Sequence, residues 1–227
     1  MSFFATVTDD GYALTAAGYT LIVILMLAVF LLGVFIFGRK KKAMTAKHLA
    51  FCAMAIALAT VTSMVKIIHM PMGGSVTLFS MLFIVLIGYW YGFGTGLTCA
   101  IAYGFLQLII DPYIISLPQL LVDYIFAFGA LGLSGLFAGK KHGLVKGYIA
   151  GVLGRYFFAF LSGWIFFGMY APDNFPNAVV YSLAYNGAYL GLEALITLIV
   201  ICIPAVSRGL TAIKGYALSD RNSSRSA

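Results

Sequence analysis

Charge is what this chain has least of. Its fourteen basic and seven acidic side chains amount to 9% of 227 residues, where ordinary soluble domains carry roughly 25%. That shortage excludes a solvated globular surface. With 62% hydrophobic residues, the chain reads as an integral membrane protein. Lipid admits only helices or a closed barrel, because every backbone polar group must pair internally. The apolar runs are continuous and do not alternate with period two, which excludes barrel strands.

Cysteine is scarce as well. Cys52, Cys99 and Cys202 lie far apart among apolar neighbours, without zinc spacing. They read as buried, reduced thiols. Signatures of chemistry are missing too. "SGLFAGKK" has Ser134 where a phosphate loop needs its first glycine, and no HExxH occurs. His48, His69 and His142 lie at span ends or in loops. No nucleophile–base pair is visible inside the spans, and no metal or cofactor site. The chain therefore reads as a solute binder and not as an enzyme, and any ATP-driven energy must come from other subunits. The net charge of +7 sits in clusters beside apolar runs, the form of a topology signal and not of a nucleic-acid surface.

What is present is a series of seven apolar spans, near 16–38, 46–68, 77–91, 95–111, 118–138, 145–169 and 181–205. The first follows Asp9 and Asp10, lacks a basic leader and precedes "GRKKK", so it reads as a retained helix and not a signal peptide. Placing that basic run in the cytoplasm, with one crossing per span, puts twelve of the fourteen basic residues inside. The remaining two, Lys66 and Arg155, fall within spans. The positive-inside rule is then met at every cytoplasmic loop, with the N-terminus outside and the C-terminus cytoplasmic. The third span is short, and is expected either to be extended by "GYWYG" or to be partly irregular. The polar end "SDRNSSRSA" reads as a disordered tail. Small residues recur at spacing four, as in Ala53 with Ala57 and Gly88 with Gly92. Such pairs let membrane helices approach closely, either within the bundle or at a partner's docking face.

Ionisable groups inside spans are costly, and so they are candidates for function. Asp123 lies five residues past Pro118 in "PQLLVDYIFAF", about 7–8 Å along its helix. Gln119 is one turn away on the same face, and Gln107 and Asn186 lie at similar depth on other helices. Tyr181, Tyr185 and Tyr189 follow one another at spacing four, and Phe167 and Tyr170 close the sixth span. These side chains share one level beneath the outer surface and define a pocket open to the outside. A carboxylate among aromatic rings suits a cation or a flat heterocycle with ring donors. Deeper, Glu193 and Arg155 overlap in depth; the first expectation for them is an ion pair, and the alternative is a role in binding or gating. Lys66 is expected to snorkel to the surface, and Trp164 to face lipid or to pack.

The segments "MPMGGSVTLFSMLFIVLIGYWYG", "YGFLQLIIDPYIISLPQLLVDYIFAFGALGLSGLF", "GRYFFAFLSGWIFFGMYAP" and "YSLAYNGAYLGLEALITL" resemble, in order, the thiamine-specific substrate-capture subunits of energy-coupling factor transporters. The resemblance runs from about residue 46 to 205. It implies an all-α fold, a six-helix substrate-capture bundle (S component), to which this chain adds one N-terminal transmembrane helix. The expected division is an anchor and basic linker at 1–45, a binding domain at 46–207 and a basic cytoplasmic tail at 208–227. The resemblance further implies capture of thiamine from outside. Docking then follows on a transmembrane scaffold subunit driven by two ABC-type ATPases. Ala53 and Ala57 match the alanines with which the family meets its scaffold. Asp123 and Tyr124 match the family's acidic–tyrosine pair, here with the shorter acid. Tyr181 and Asn186 match its last-helix contacts. Phe167 stands where Trp is frequent, and Ala159 and Gln107 stand where some members have His. "HMPMGGSV" resembles the segment covering the family's pocket, its glycines permitting lid motion. The competing readings are a proton-coupled secondary carrier of thiamine or a precursor, using Asp123 or Glu193 as relay, and a membrane enzyme or structural subunit. Inverted repeats or a catalytic motif would favour these, and neither is evident.

Overall fold

The computed structural model describes residues 5–8, 11–15, 17, 18, 20, 21, 24, 45–172 and 175–219. The span expected at 16–38, the basic run Arg39–Lys42 and the tail from 220 onward lie wholly or mainly outside these residues. A short antiparallel ribbon pairs β1 (Ala5–Thr8) with β2 (Gly11–Leu14). Beyond it, five helices among the described residues are long and apolar enough to cross a membrane: α1 (Ala46–Met64), α3 (Phe93–Ile110), α4 (Leu117–Phe137), α5 (Gly143–Phe166) and α6 (Ala178–Cys202). A sixth, α2 (Ser80–Tyr91), is shorter. Local chemistry sets the boundaries. Thr45, Ser116 and Asn177 cap α1, α4 and α6 by accepting from the backbone N–H three residues on, at 3.2, 3.2 and 2.9 Å. Gly92, at φ +96, forms the whole connection between α2 and α3.

With 12 residues, α2 is about 18 Å long, short of a hydrocarbon core of roughly 30 Å. It is apolar all round because it is enclosed all round, packing against α1, α3, α4 and α5. Met81, Ile84, Val85 and Ile87 on it are fully buried. Gly88 permits this enclosure, since a Cβ built there would lie 2.1 Å from Ser134 Oγ. Between α1 and α2 the chain forms a hairpin, β3 (Lys66–His69) with β4 (Ser75–Thr77). The irregular third span expected from the sequence is thus a strand followed by a short helix. The outward faces of the long helices carry Leu49, Met54, Leu58, Ile109, Leu153, Leu195 and Ile199, all exposed, a surface suited to lipid.

The helix order alternates direction, so Lys47, Lys140, Lys141, Lys146, Arg208 and Lys214 gather at one end of the bundle. The hairpin and the loops at 111–116 and 167–177 gather at the other. At the basic end the chain turns at Ile203 into α7 (Pro204–Ala217), a helix the sequence reading did not anticipate. It packs back on the bundle: Lys214 Nζ lies 3.7 Å over the Tyr89 ring, and Tyr91 donates to the Ala217 carbonyl at 3.2 Å.

Three expectations are corrected by the packing. Lys66 does not snorkel from a helix; it opens β3 and forms an ion pair with Asp111 at the end of α3. Cys52 and Cys99 are buried and free as expected, but Cys202 is free and exposed on the outer face of α6. Arg155 and Glu193 form no ion pair. The carboxylate is taken up by the hairpin and α2, as described below, and Arg155 lies 4.1 Å over the Phe128 ring. Trp164 is partly exposed and stacks on Phe160, in line with its expected lipid-facing or packing role.

Candidate functional site

The end of the bundle opposite the basic residues holds a cavity of about 440 Å³, within the ordinary range of small-molecule sites. Its walls come from α3, α4, α5, α6 and the hairpin. Asp123 sits on a π-wound stretch of α4, Leu121–Phe126. Such widened turns recur at functional sites because they re-aim side chains that a regular helix would point elsewhere. Gln119, one turn earlier and buried, braces the carboxylate. Its Nε2 donates to Asp123 Oδ2 at 2.6 Å and to the Tyr113 carbonyl at 3.0 Å, while its Oε1 accepts from Ile115 N at 3.1 Å. Gln119 therefore ties the acid to the α3–α4 loop. Tyr124 does the same from its own turn: its hydroxyl donates to the Asp111 carbonyl at 3.1 Å and accepts from Tyr113 N at 2.8 Å.

The other expected residues fall on the same cavity with one exception. Gln107 donates to Ser63 Oγ at 2.8 Å and faces the cavity from α3. Asn186 is buried on α6; its Nδ2 donates to the Ser182 carbonyl at 2.9 Å, and its Oδ1 accepts from Tyr189 at 3.0 Å. Tyr181 and Phe167 are buried cavity walls. Ala159 is a buried, small wall of α5 between Arg155 and Ser162. Tyr170 does not line the cavity; its ring stands 6.4 Å from that of Phe167, and 43% of the residue is exposed.

The structure also brings in Tyr113, which the sequence reading had not singled out for the site, and gives Tyr185 and Glu193 the task of holding the hairpin. Tyr113 lines the cavity with its ring 5.7 Å from Phe167. It lies in a loop, outside any helical spacing that would have linked it to the others. Tyr185 pins the tip of the hairpin to α6: its hydroxyl accepts from Gly74 N at 2.9 Å and donates to the Pro71 carbonyl. Two turns further, Glu193 pins the hairpin's base. Its Oε2 accepts from Thr77 N and Thr77 Oγ1 at 3.0 and 2.7 Å. Its Oε1 accepts from Ser80 Oγ at 3.3 Å and Met81 N at 3.4 Å. The carboxylate thus caps the N-terminus of α2, where the helix dipole favours negative charge.

A cavity of this kind, walled by membrane helices and closed over by a short hairpin, with one braced carboxylate among aromatic rings, defines a membrane protein that binds a small solute. Comparison with known proteins agrees. The family described as thiamine transporter protein (Thia_YuaJ) matches residues 49–212, and this chain belongs to it. The thiamine transporter ThiT of Bacillus subtilis is 38% identical over 165 residues, covering 66% of this chain and 84% of that protein. ThiT of Lacticaseibacillus paracasei is 34% identical over 96 residues, covering 37% of this chain and 47% of its own length. A solved structure of ThiT from Listeria monocytogenes superposes with a TM-score of 0.61 at 24% identity, over 72% of this chain and 96% of that one. At that identity the likeness speaks for the fold. The family is one of multi-pass membrane transporters, not of enzymes.

Proposed function

We propose that the chain is the thiamine-capturing membrane subunit of an energy-coupling factor transporter. The observation that carries this reading is the braced Asp123 carboxylate facing a cavity walled by Tyr181, Tyr189, Phe167 and Tyr113. Thiamine is a permanent cation joined to a flat aminopyrimidine. Asp123 supplies its counter-charge, the rings supply stacking and cation–π faces, and the amides of Asn186 and Gln107 fix orientation. Tyr124 shapes the site through the loop it holds. With the basic end inside the cell, the cavity opens outward, the N-terminus lies outside and the C-terminus is cytoplasmic. Residues 46–207 then form the binding domain, 1–45 an anchor and 208–227 a basic tail.

The chain binds, and a scaffold subunit with two ABC-type ATPases supplies the work. Ala53 and Ala57 are exposed on α1 and form a close-approach face for that scaffold. Replacing Ala57 with Leu is expected to leave thiamine binding by the isolated chain unchanged and to reduce ATP-driven uptake at least tenfold. Vesicle uptake with the complete set of subunits measures this, and full uptake by Ala57→Leu would remove α1 from the docking face. The reading as a whole is tested by calorimetry or intrinsic fluorescence on the purified full chain. Nanomolar thiamine binding without any ATPase is expected; absence of binding sinks it. Uptake driven by a pH gradient without partner subunits would favour the proton-coupled carrier instead.

A further inference from the structure

We propose that the groove between α5 and α6 is a binding site for an anionic phospholipid, with an acyl chain in the groove and the phosphate at the lysines that open α5. The site is separate from the solute cavity and goes beyond the transport reading. The groove has a volume of about 260 Å³, and its lining includes Ile149, Leu153 and Tyr156 from α5 and Gly187, Leu190 and Gly191 from α6. Its walls are almost wholly apolar. It exists because α6 places glycines there. A Cβ built at Gly191 meets nothing within 4 Å, and one at Gly187 meets only the Tyr156 ring and hydroxyl, at 3.7 Å. Tyr156 stands at the end of the groove away from the lysines, its hydroxyl donating to the Leu183 carbonyl at 3.1 Å. From Tyr148 to Tyr156 the groove follows α5 for about 12 Å of helix rise. That is most of one leaflet's half of a hydrocarbon core of roughly 30 Å.

Charge identifies the occupant. Lys146 lies on the same ridge of α5 as Ile149 and Leu153, at spacings three and seven, and all three are exposed. Lys140 and Lys141 stand in the turn just before the helix. The first turn of α5 has no acidic residue and no side-chain cap. Among the described residues the carboxylates are Asp111, Asp123 and Glu193, and these are bonded to Lys66, Gln119 and the hairpin. None of them meets Lys141 or Lys146. An apolar trough with cations and no acid at its mouth fits a molecule with an alkyl chain and an anionic head, and basic pockets between membrane helices hold such headgroups. Glycines at spacing four would also admit another helix. The lysines favour lipid, because a membrane-spanning helix carries its own basic flank on the same side and would set cation against cation.

The test counts bound lipid. The full chain is purified in mild detergent from bilayers holding equal parts phosphatidylglycerol and phosphatidylcholine, and the lipid it retains is read by native mass spectrometry. Wild type is expected to keep one phosphatidylglycerol, preferred over phosphatidylcholine about tenfold. Gly191→Leu fills the groove where a Cβ has open space, and leucine is a better helix former than glycine. It should keep the wild-type thermal midpoint in phosphatidylcholine and lose the retained lipid. The double variant Lys141→Gln with Lys146→Gln should keep a lipid and lose the preference. The proposal is overturned if wild type retains no lipid, if Gly191→Leu retains the same phosphatidylglycerol, or if the double variant keeps its preference. A dimer that Gly191→Leu dissociates also overturns it, since the groove would then seat a second copy. Where Gly191→Leu fails to fold, phosphatidylglycerol with a photoactivatable acyl chain reads the site in the unmodified chain. Cross-links confined to Ile149, Leu153 and the facing residues of α6 support the proposal, and cross-links spread evenly round the bundle overturn it.

Discussion

Asp123→Asn is expected to abolish high-affinity thiamine binding while leaving the chain folded. The substitution keeps an oxygen at the position to which Gln119 donates at 2.6 Å, so the brace to the α3–α4 loop survives. What disappears is the negative charge facing the cavity. Removing one partner of a desolvated charge pair costs about 2–5 kcal/mol, or roughly 30- to several-thousand-fold in affinity. Calorimetry on the purified variant reads the loss, and thermal unfolding within a few degrees of wild type certifies the fold. Asp123→Glu provides the complementary comparison. It restores the charge on a stem one methylene longer, the length the family resemblance attributes to related chains, and should retain most of the binding. Wild-type affinity in Asp123→Asn would mean that the carboxylate serves helix packing and not the ligand.

The reasons that Asp123 could be found from sequence are physical. Lipid forces each long apolar run into a helix, so depth along a run converts directly into depth in the bundle. Asp123, Gln119, Asn186 and Tyr181 could therefore be levelled with one another before any contact was known, and all of them line the cavity. The same reasoning overreached at Tyr170, because helical depth says nothing about direction once a helix has ended; α5 stops at Phe166. It also failed at Lys66–Ile68, read as the end of the span 46–68. With His69 these residues form the first strand of a hairpin whose polar partners are distant in sequence. Lys66 finds Asp111, Gly74 finds Tyr185, and Thr77 finds Glu193. Pairings of that kind carry no local signal. The π-wound turn at Leu121–Phe126 was equally invisible, since its residues are ordinary helix formers.

Glu193 shows what the hidden pairing accomplishes, and its removal is expected to be the most damaging single change in the bundle. Its depth suggested an ion pair with Arg155. Instead, the acid meets a helix N-terminus and the base of a strand at once. Phe79, between them, adopts a left-handed conformation at φ 61, uncommon for a bulky residue and tolerated where surrounding bonds hold it. That bend lets Thr77 and Met81 both point their N–H groups at one carboxylate. In Glu193→Ala, two backbone N–H groups and two hydroxyls lose their acceptor inside the membrane. Breaking such a buried charged cluster typically costs about 3–5 kcal/mol. The expected result is a clear fall in the thermal midpoint, accompanied by loss of ligand binding, because the hairpin that covers the cavity is no longer anchored at its base. Glu193→Gln keeps one acceptor oxygen and should fall between Ala and wild type in both measurements. Tyr185→Phe, which releases only the hairpin tip, should speed thiamine dissociation severalfold with little change in thermal midpoint. If Glu193→Ala were to unfold at the wild-type temperature and release thiamine at the wild-type rate, the hairpin and α6 would have to be held together by something other than this carboxylate.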